Sequence, residues 1–309
     1  MISGQRFEGQ MFHPVKWGKR YPVIGWSNVL LDLTKFKISL FAALSTLTGF
    51  ILSYQGLSGE VILPVIGIFF LACGSCALNQ YQERREDSLM ERTKHRPIPS
   101  GKIRSDTALK ISLFFILMGS LFLFCGDNLM VVGLGLFAIL WYNGVYTCLK
   151  RHSAFAAIPG ALIGSIPPVV GWVSGGGHPL DPQILAIAFF FFIWQVPHFW
   201  LLLLSFGKDY EKAGFPSLTR IFTPAQLSRM TFMWILATAV ACLILPLFGI
   251  GKSHAIHGGL FVAALWLVWK GSRLLTAYKR DFPFRSAFDA INSYVALVMV
   301  LVALGSFLN

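Results

Sequence analysis

The sequence predicts an all-α integral membrane protein with about nine transmembrane helices in one bundle. Three observations carry that prediction. Only 13% of the 309 residues are charged, where a soluble domain carries about 25%. The mean hydropathy is +0.64. Nine apolar runs also recur along the chain, most of them close to the ~20 residues that a helix needs to cross the hydrocarbon.

In chain order, residues 1–37 hold no apolar run and six Lys/Arg, and are expected to form a cytoplasmic N-terminal arm with no cleaved leader. Residues 38–309 are expected to form a single transmembrane domain. Its apolar segments are 38–54, 60–79, 109–126, 129–147, 154–174, 183–206, 228–250, 255–272 and 287–308. Several are short, which implies tilt. The eighth is interrupted near its end by Lys270 and Arg273. No internal repeat of fixed period is present.

Charge gives the expected orientation. With the N-terminus cytoplasmic and the C-terminus outside, 25 of the 26 Lys/Arg fall on one side, and only Lys252 falls on the other. A different parity scatters them. The net charge of +12 therefore reads as loops facing an anionic leaflet, with no nucleic-acid partner. The five cysteines lie in or beside apolar runs and read as small buried hydrophobes. Cys73 and Cys76 form a CxxC without the second pair that a four-ligand metal site needs.

The stretch NQYQERREDSLMERTKHRP, residues 79–97, breaks the apolar pattern with both signs of charge. If the second segment stays helical past the membrane surface, Asn79, Glu83 and Asp87 stand at i, i+4 and i+8. All three then share one face, rising ~6 Å per step. Three oxygen donors at the mouth of a bundle suit Mg2+, which favours carboxylates and substrate phosphates. Arg92, Lys94 and Arg96 beside them suit a diphosphate. Read alone, the stretch also suits a self-neutralising solvated loop, although RP and PSG (residues 96–97 and 99–101) mark ordered turns.

Two further polar pieces fall on the same expected side. SFGKDYEKAGFPSL brings Lys208, Asp209 and Tyr210, and YNGVYTCLKR ends on Lys150 and Arg151. Each alone also fits a solvated turn or a snorkelling anchor.

Together these motifs resemble the UbiA-type intramembrane prenyltransferases, whose first motif is usually NxxxDxxxD. MERTKHRPIPSG, which follows Asn79, Glu83 and Asp87, belongs to that first motif. Within that superfamily, three stretches resemble the protoheme IX farnesyltransferases. They are LTKFKISLFAALSTLTG, YTCLKRHSAFAAIPGALIGSIPPVVGW and WQVPHFWLLLLSFGKDYEKAGFPSL. They follow family order across most of the chain. Three positions depart from the pattern: Glu83 stands for the usual Asp, Phe36 for Pro and Ser217 for Met.

The resemblance implies nine helices around a central cavity in the bacterial cytoplasmic (inner) membrane. It implies transfer of a farnesyl group from farnesyl diphosphate to the vinyl group of heme b, giving heme O and diphosphate, with Mg2+ as cofactor. It places Asn79, Glu83, Asp87 and Asp209 as metal-binding and catalytic residues. Arg92, Lys94, Arg96, Lys150, Arg151, Lys208, Tyr210 and His198 become substrate-binding residues. The implied partners are membrane lipid and, downstream, a heme A synthase or heme-copper oxidase assembly. On this reading His198, in a strongly apolar context, contacts heme iron or a propionate, and Phe199 and Trp200 are candidates to face an allylic cation. A prenyltransferase for an aromatic quinone precursor and a multipass transporter remain as alternatives. The charge gathered at one face, with no acid at mid-membrane, suits a transporter less well.

Overall fold

The structure is a computed structural model that describes residues 23–126, 128–277 and 284–308. Most of the expected N-terminal arm, residues 1–22, lies outside that range.

The described residues begin with a helix that the hydropathy pattern did not reveal. Helix α1 (Val23–Leu33) is eleven residues long. Val29 and Leu33, one turn apart, are buried against Ala77, Ile103 and Ala108, while Trp26 and Leu31 stay exposed. Gln80 Nε2 donates to Asp32 O at 2.7 Å and Leu33 O at 3.0 Å, fastening the end of α1. The chain then turns sharply at Lys35, which adopts the left-handed conformation (φ 47°, ψ 53°). That conformation costs a non-glycine residue ~1–2 kcal/mol and persists where tertiary contacts hold it.

Nine described helices are long and apolar enough to cross a membrane. They are α2 (Phe36–Tyr54), α3 (Gly59–Gln82), α5 (Ser105–Phe124), α6 (Leu129–Leu149), α7 (Ala157–Ser174), α8 (Pro182–Lys212), α9 (Pro224–Phe248), α10 (His254–Ser272) and α11 (Phe284–Gly305). A short helix, α4 (Arg84–Leu89), follows α3. Every expected segment is present. The helices run a few residues past several apolar windows, because caps and polar turns set their ends. Ser253 and Asn128 cap α10 and α6, and Thr223 with Gln226 forms a capping box on α9.

Neighbours in sequence pack side by side, and α11 returns to α2 to close the ring. The larger core joins α8, α9, α10 and α11 around Ile184, Phe190, Leu260 and Tyr294. A second core joins α3, α5, α6 and α7 around Leu71, Leu123 and Val170. Helices α5 and α6 turn Leu117, Leu121, Leu129 and Leu140 outward, as a lipid-facing surface requires. Helices α2 and α7 approach closely where side chains vanish. A Cβ at Gly171 would lie 1.9 Å from Thr46 O, and one at Gly49 would lie 2.0 Å from Pro168 O. Small residues are how membrane helices gain van der Waals contact.

Two irregularities aim residues at one end of the bundle. Within α6, Leu140–Tyr146 is a π-helix, a widening frequent at functional sites. Helix α8 runs through Pro197 and breaks at Phe206 (φ −131°). Two cysteines also differ from expectation: Cys73, Cys76 and Cys242 are buried, but Cys125 and Cys148 are exposed.

Candidate active site

The site forms where α3 leaves the bundle. Helix α3 ends at Gln82, Glu83 is its cap (φ −104°, ψ 13°), and α4 begins at once. The helical hydrogen bonds bridge this kink. Glu83 N donates to Asn79 O at 3.0 Å, and Asp87 N donates to Glu83 O at 2.8 Å. The i, i+4, i+8 relationship therefore survives, and Asn79, Glu83 and Asp87 are all buried.

Each of the three has a cation. Lys35 Nζ donates to Asn79 Oδ1 at 3.1 Å. Lys150 pairs with Glu83. Arg96 Nη1 lies 2.8 Å from both carboxylate oxygens of Asp87. Burial raises the Asp87 carboxyl above the ordinary range, against the pull of Arg96. Lys35 is half-buried, and burial together with Arg96 lowers its pKa to about 8. Lys35 completes the cluster, yet its place in a turn 44 positions upstream of Asn79 gives no local pattern that would single it out.

The π-helix brings α6 to the same point. Asn143 Nδ2 donates to Ser75 O at 3.0 Å and to Gln82 Oε1 at 3.1 Å, locking α6 onto α3. One turn on, Thr147 Oγ1 lies 3.4 Å from Asn79 Nδ2. Lys150 follows one more turn along. Arg151, its neighbour, pairs with Glu86 at 2.9 Å and donates to Gln82 O at 3.0 Å. Neither basic residue is a snorkelling anchor.

The second polar loop does meet the first. Arg92 N donates to Asp209 Oδ2 at 3.1 Å, and the Arg92 guanidinium lies 5.1 Å from the Phe206 ring centroid and 3.5 Å from Tyr210 Oη. Tyr210 packs on Phe215 at 5.8 Å, and Lys150 Nζ lies 6.0 Å from the Phe215 ring. Asp209 is thus occupied in holding the Arg92 backbone. Among the described residues, no three His, Cys, Asp or Glu side chains gather at one point. The oxygen donors that do adjoin are Asn79, Glu83 and Asp87. Lys94 pairs with Glu91 at the surface, and Lys208 is exposed, with no ion pair among the described residues.

An aromatic wall descends from this polar lip. Lys150 Nζ lies 5.2 Å from the Tyr146 ring, Tyr146 stacks on Phe199 at 5.6 Å, and Phe199 meets His198 at 5.7 Å. Trp194 and Phe288 flank His198 at 5.2 and 4.8 Å. His198 Nδ1 lies 2.8 Å from Asn292 Oδ1, whose own Nδ2 donates to Phe288 O at 2.8 Å. With its amide so oriented, Asn292 presents an acceptor. Nδ1 of His198 therefore carries the proton, and Nε2 keeps its lone pair. Trp200 is not part of this wall. It is buried beside Trp234 in a packing cluster that Phe199 also borders.

The comparisons agree with this architecture. A sequence model described as the UbiA prenyltransferase family matches residues 42–306. A protoheme IX farnesyltransferase of Nitratidesulfovibrio vulgaris (strain DP4) is 36% identical over 87% of this chain and 93% of its own. One of Oleidesulfovibrio alaskensis is 30% identical over 88% and 94% respectively. Among solved structures, a UbiA homolog from Archaeoglobus fulgidus bound to GPP and Mg2+ superposes with a TM-score of 0.62. It is 15% identical, with 89% of this chain and 99% of that one covered. The apo structure of a UbiA homolog from Aeropyrum pernix K1 gives 0.67 at 15% identity, over 88% and 98%. With nine membrane-spanning helices, one polar lip and a family match over most of its length, the chain belongs to the UbiA prenyltransferase family.

Proposed function

We propose that the protein transfers the farnesyl group of farnesyl diphosphate to a vinyl side chain of heme b, with addition of water, giving heme O and diphosphate. The observation that carries the reading is the buried lip at which Lys35, Lys150 and Arg96 interleave with Asn79, Glu83 and Asp87. Here cations outnumber carboxylates three to two, so the cluster favours an anion. The relatives' names supply the acceptor.

In this reaction the allylic C–O bond breaks and its electron pair leaves with the diphosphate. Vinyl π electrons capture the farnesyl carbon, and water supplies the hydroxyl to the neighbouring carbon and releases a proton. Lys35, Lys150 and Arg96 hold the departing oxygens, where preorganised charge acts most strongly. Tyr146 and Phe199 give the cation a water-free aromatic surface.

Asn79, Glu83 and Asp87 would hold Mg2+. They fit it in donor chemistry, all being hard oxygens. Glu83 Oε1 is also buried beside Lys150 without a well-directed hydrogen bond. When bound, Mg2+ supplies further charge stabilisation to the diphosphate. Asp209 acts beside this set by fastening Arg92, and Tyr210 and Arg92 close the lip with Arg151, Lys94 and Lys208 around it. His198, with Nδ1–H fixed by Asn292, offers Nε2 to heme iron.

The distribution of Lys and Arg supports a cytoplasmic lip in the bacterial inner membrane, with residues 38–309 as one transferase domain. The product would pass to a heme A synthase or an oxidase assembly. The test is purified protein with heme b, farnesyl diphosphate and Mg2+, read by mass spectrometry of the extracted heme. A magnesium-dependent hydroxyethylfarnesyl heme is expected. Diphosphate release only with an aromatic acceptor would favour the quinone-precursor reaction instead.

A further inference from the structure

Helices α10 and α11 pack side by side and leave a recess along their shared lipid-facing flank. A groove of about 590 Å³ lies between them, lined by Gly258, Gly259, Val262, Trp266, Leu297 and Leu301. It opens into a second recess of about 420 Å³ that shares Trp266 and Ser293 and carries Lys270, Arg285 and Asp289. Lys270 ends α10 and Arg285 begins α11, so this charged mouth lies on the same side of the bundle as the diphosphate lip.

The groove is concave and is not a packing seam. Gly49 and Gly171 are filled by the facing backbone, but a Cβ at Gly258 would meet nothing within 4 Å. Val262 is 65% exposed and Leu297 43% exposed. Both lie in spanning helices, where the surrounding solvent is acyl chain rather than water. An occupant must therefore be apolar along the trough and polar at the mouth. Among the described residues, two cations against one carboxylate ask for a single negative charge, and the Asp289 carboxylate asks for a donor.

We propose that this groove binds a membrane glycerophospholipid with an anionic, hydroxyl-bearing headgroup. Its acyl chain lies in the trough past Gly258, and its glycerol esters lie level with the exposed Ser293 hydroxyl. Its phosphate sits between Lys270 and Arg285, and a headgroup hydroxyl donates to Asp289. The site borders the helix that orients His198, since Asn292 precedes Ser293 on α11.

The test is native mass spectrometry of the full chain in mild detergent, titrated with phosphatidylglycerol and, separately, phosphatidylcholine. The expected result is one retained phosphatidylglycerol and weaker phosphatidylcholine. Lys270→Gln and Arg285→Gln should each lower phosphatidylglycerol retention about fivefold, the weight of one basic residue at an anionic surface. Gly258→Leu, which fills open space and should leave the melting temperature unchanged, should lower retention of both lipids. Equal retention of the two lipids by the native chain, or Gly258→Leu without effect, would mean annular lipid only and overturn the proposal. So would a dimer that Gly258→Leu disrupts while lipid retention holds, which would assign the groove to a second copy of the chain.

Discussion

The Lys35 ammonium donates to Asn79 Oδ1 at 3.1 Å, joining the turn before the first span to the end of the second. Lys35 reaches that point from a left-handed backbone, and burial already holds its pKa down to about 8. A cation kept in so costly a place fits the proposed role of holding the diphosphate. Lys35→Met should therefore lower kcat/KM for the prenyl diphosphate roughly 10- to 150-fold, the worth of a hydrogen bond to a charged group. The melting temperature should not fall. A variant that melts early but turns over normally would reverse that assignment.

Asp87 has a second duty. Its carboxylate is buried and holds Arg96 through both oxygens, while its backbone carbonyl accepts from Thr93 Oγ1 at 2.9 Å. Asp87→Ala strands the guanidinium, a loss of about 3 kcal/mol for a broken buried pair. Asp87→Asn combined with Arg96→Gln should recover most of that stability and none of the activity. Thermal melts of the two variants beside the native chain separate fold from chemistry.

Glu83 reaches Lys150 with one methylene more than the aspartate usual in the motif. Glu83→Asp should keep a carboxylate for the ion but withdraw it from Lys150. The expected result is a several-fold change in the half-saturating Mg2+ concentration with kcat changed less. A chelator should abolish turnover in both forms. An unchanged Mg2+ titration would remove Glu83 from the ion's ligands.

His198 and Asn292 act as a pair. His198→Ala should raise the KM for heme and leave the KM for farnesyl diphosphate nearly unchanged. Asn292→Ala, which frees the imidazole tautomer, should show the same selectivity, in the 10- to 100-fold range of outer-shell partners. Heme titration followed by absorbance reads both. Equal effects on the two substrates would make the pair a packing contact.

Gly171→Ala tests the frame alone. Its Cβ would fall 1.9 Å from Thr46 O, a backbone atom that cannot turn aside. Overpacking typically costs ~1–3 kcal/mol and occasionally more. The detergent-solubilised melt should drop by that amount or the variant should fail to accumulate. A normal melt would show that α2 and α7 can separate.

The spans were legible because lipid leaves the backbone few choices, and apolar length alone reports a crossing helix. The acid motif was legible too, since a four-residue spacing keeps a face even across the kink at Glu83. Helix α1 was not. Its buried face is little more than Val29 and Leu33, too few to raise a hydropathy signal. Lys35 was hidden because only the folded chain brings it to Asn79. Phe199 and Trp200 could not be told apart in sequence. Adjacent helical residues point about 100° apart, and only the packing lays the Phe199 ring against Tyr146 and His198 and the Trp200 ring against Trp234. Asp209 kept its place at the lip but was found on Arg92.

The wide turn at Leu140–Tyr146 holds one more residue than an α-helix of the same rise would use. Wound as a regular α-helix, the same residues would carry everything after the turn about 100° further round the axis. Lys150 would swing off Glu83, and Thr147 off Asn79, with every side chain still in the sequence. Chain length in this segment is therefore under the same constraint as residue identity. Homologues are expected to keep the widening wherever they keep the extra residue and to lose the two together.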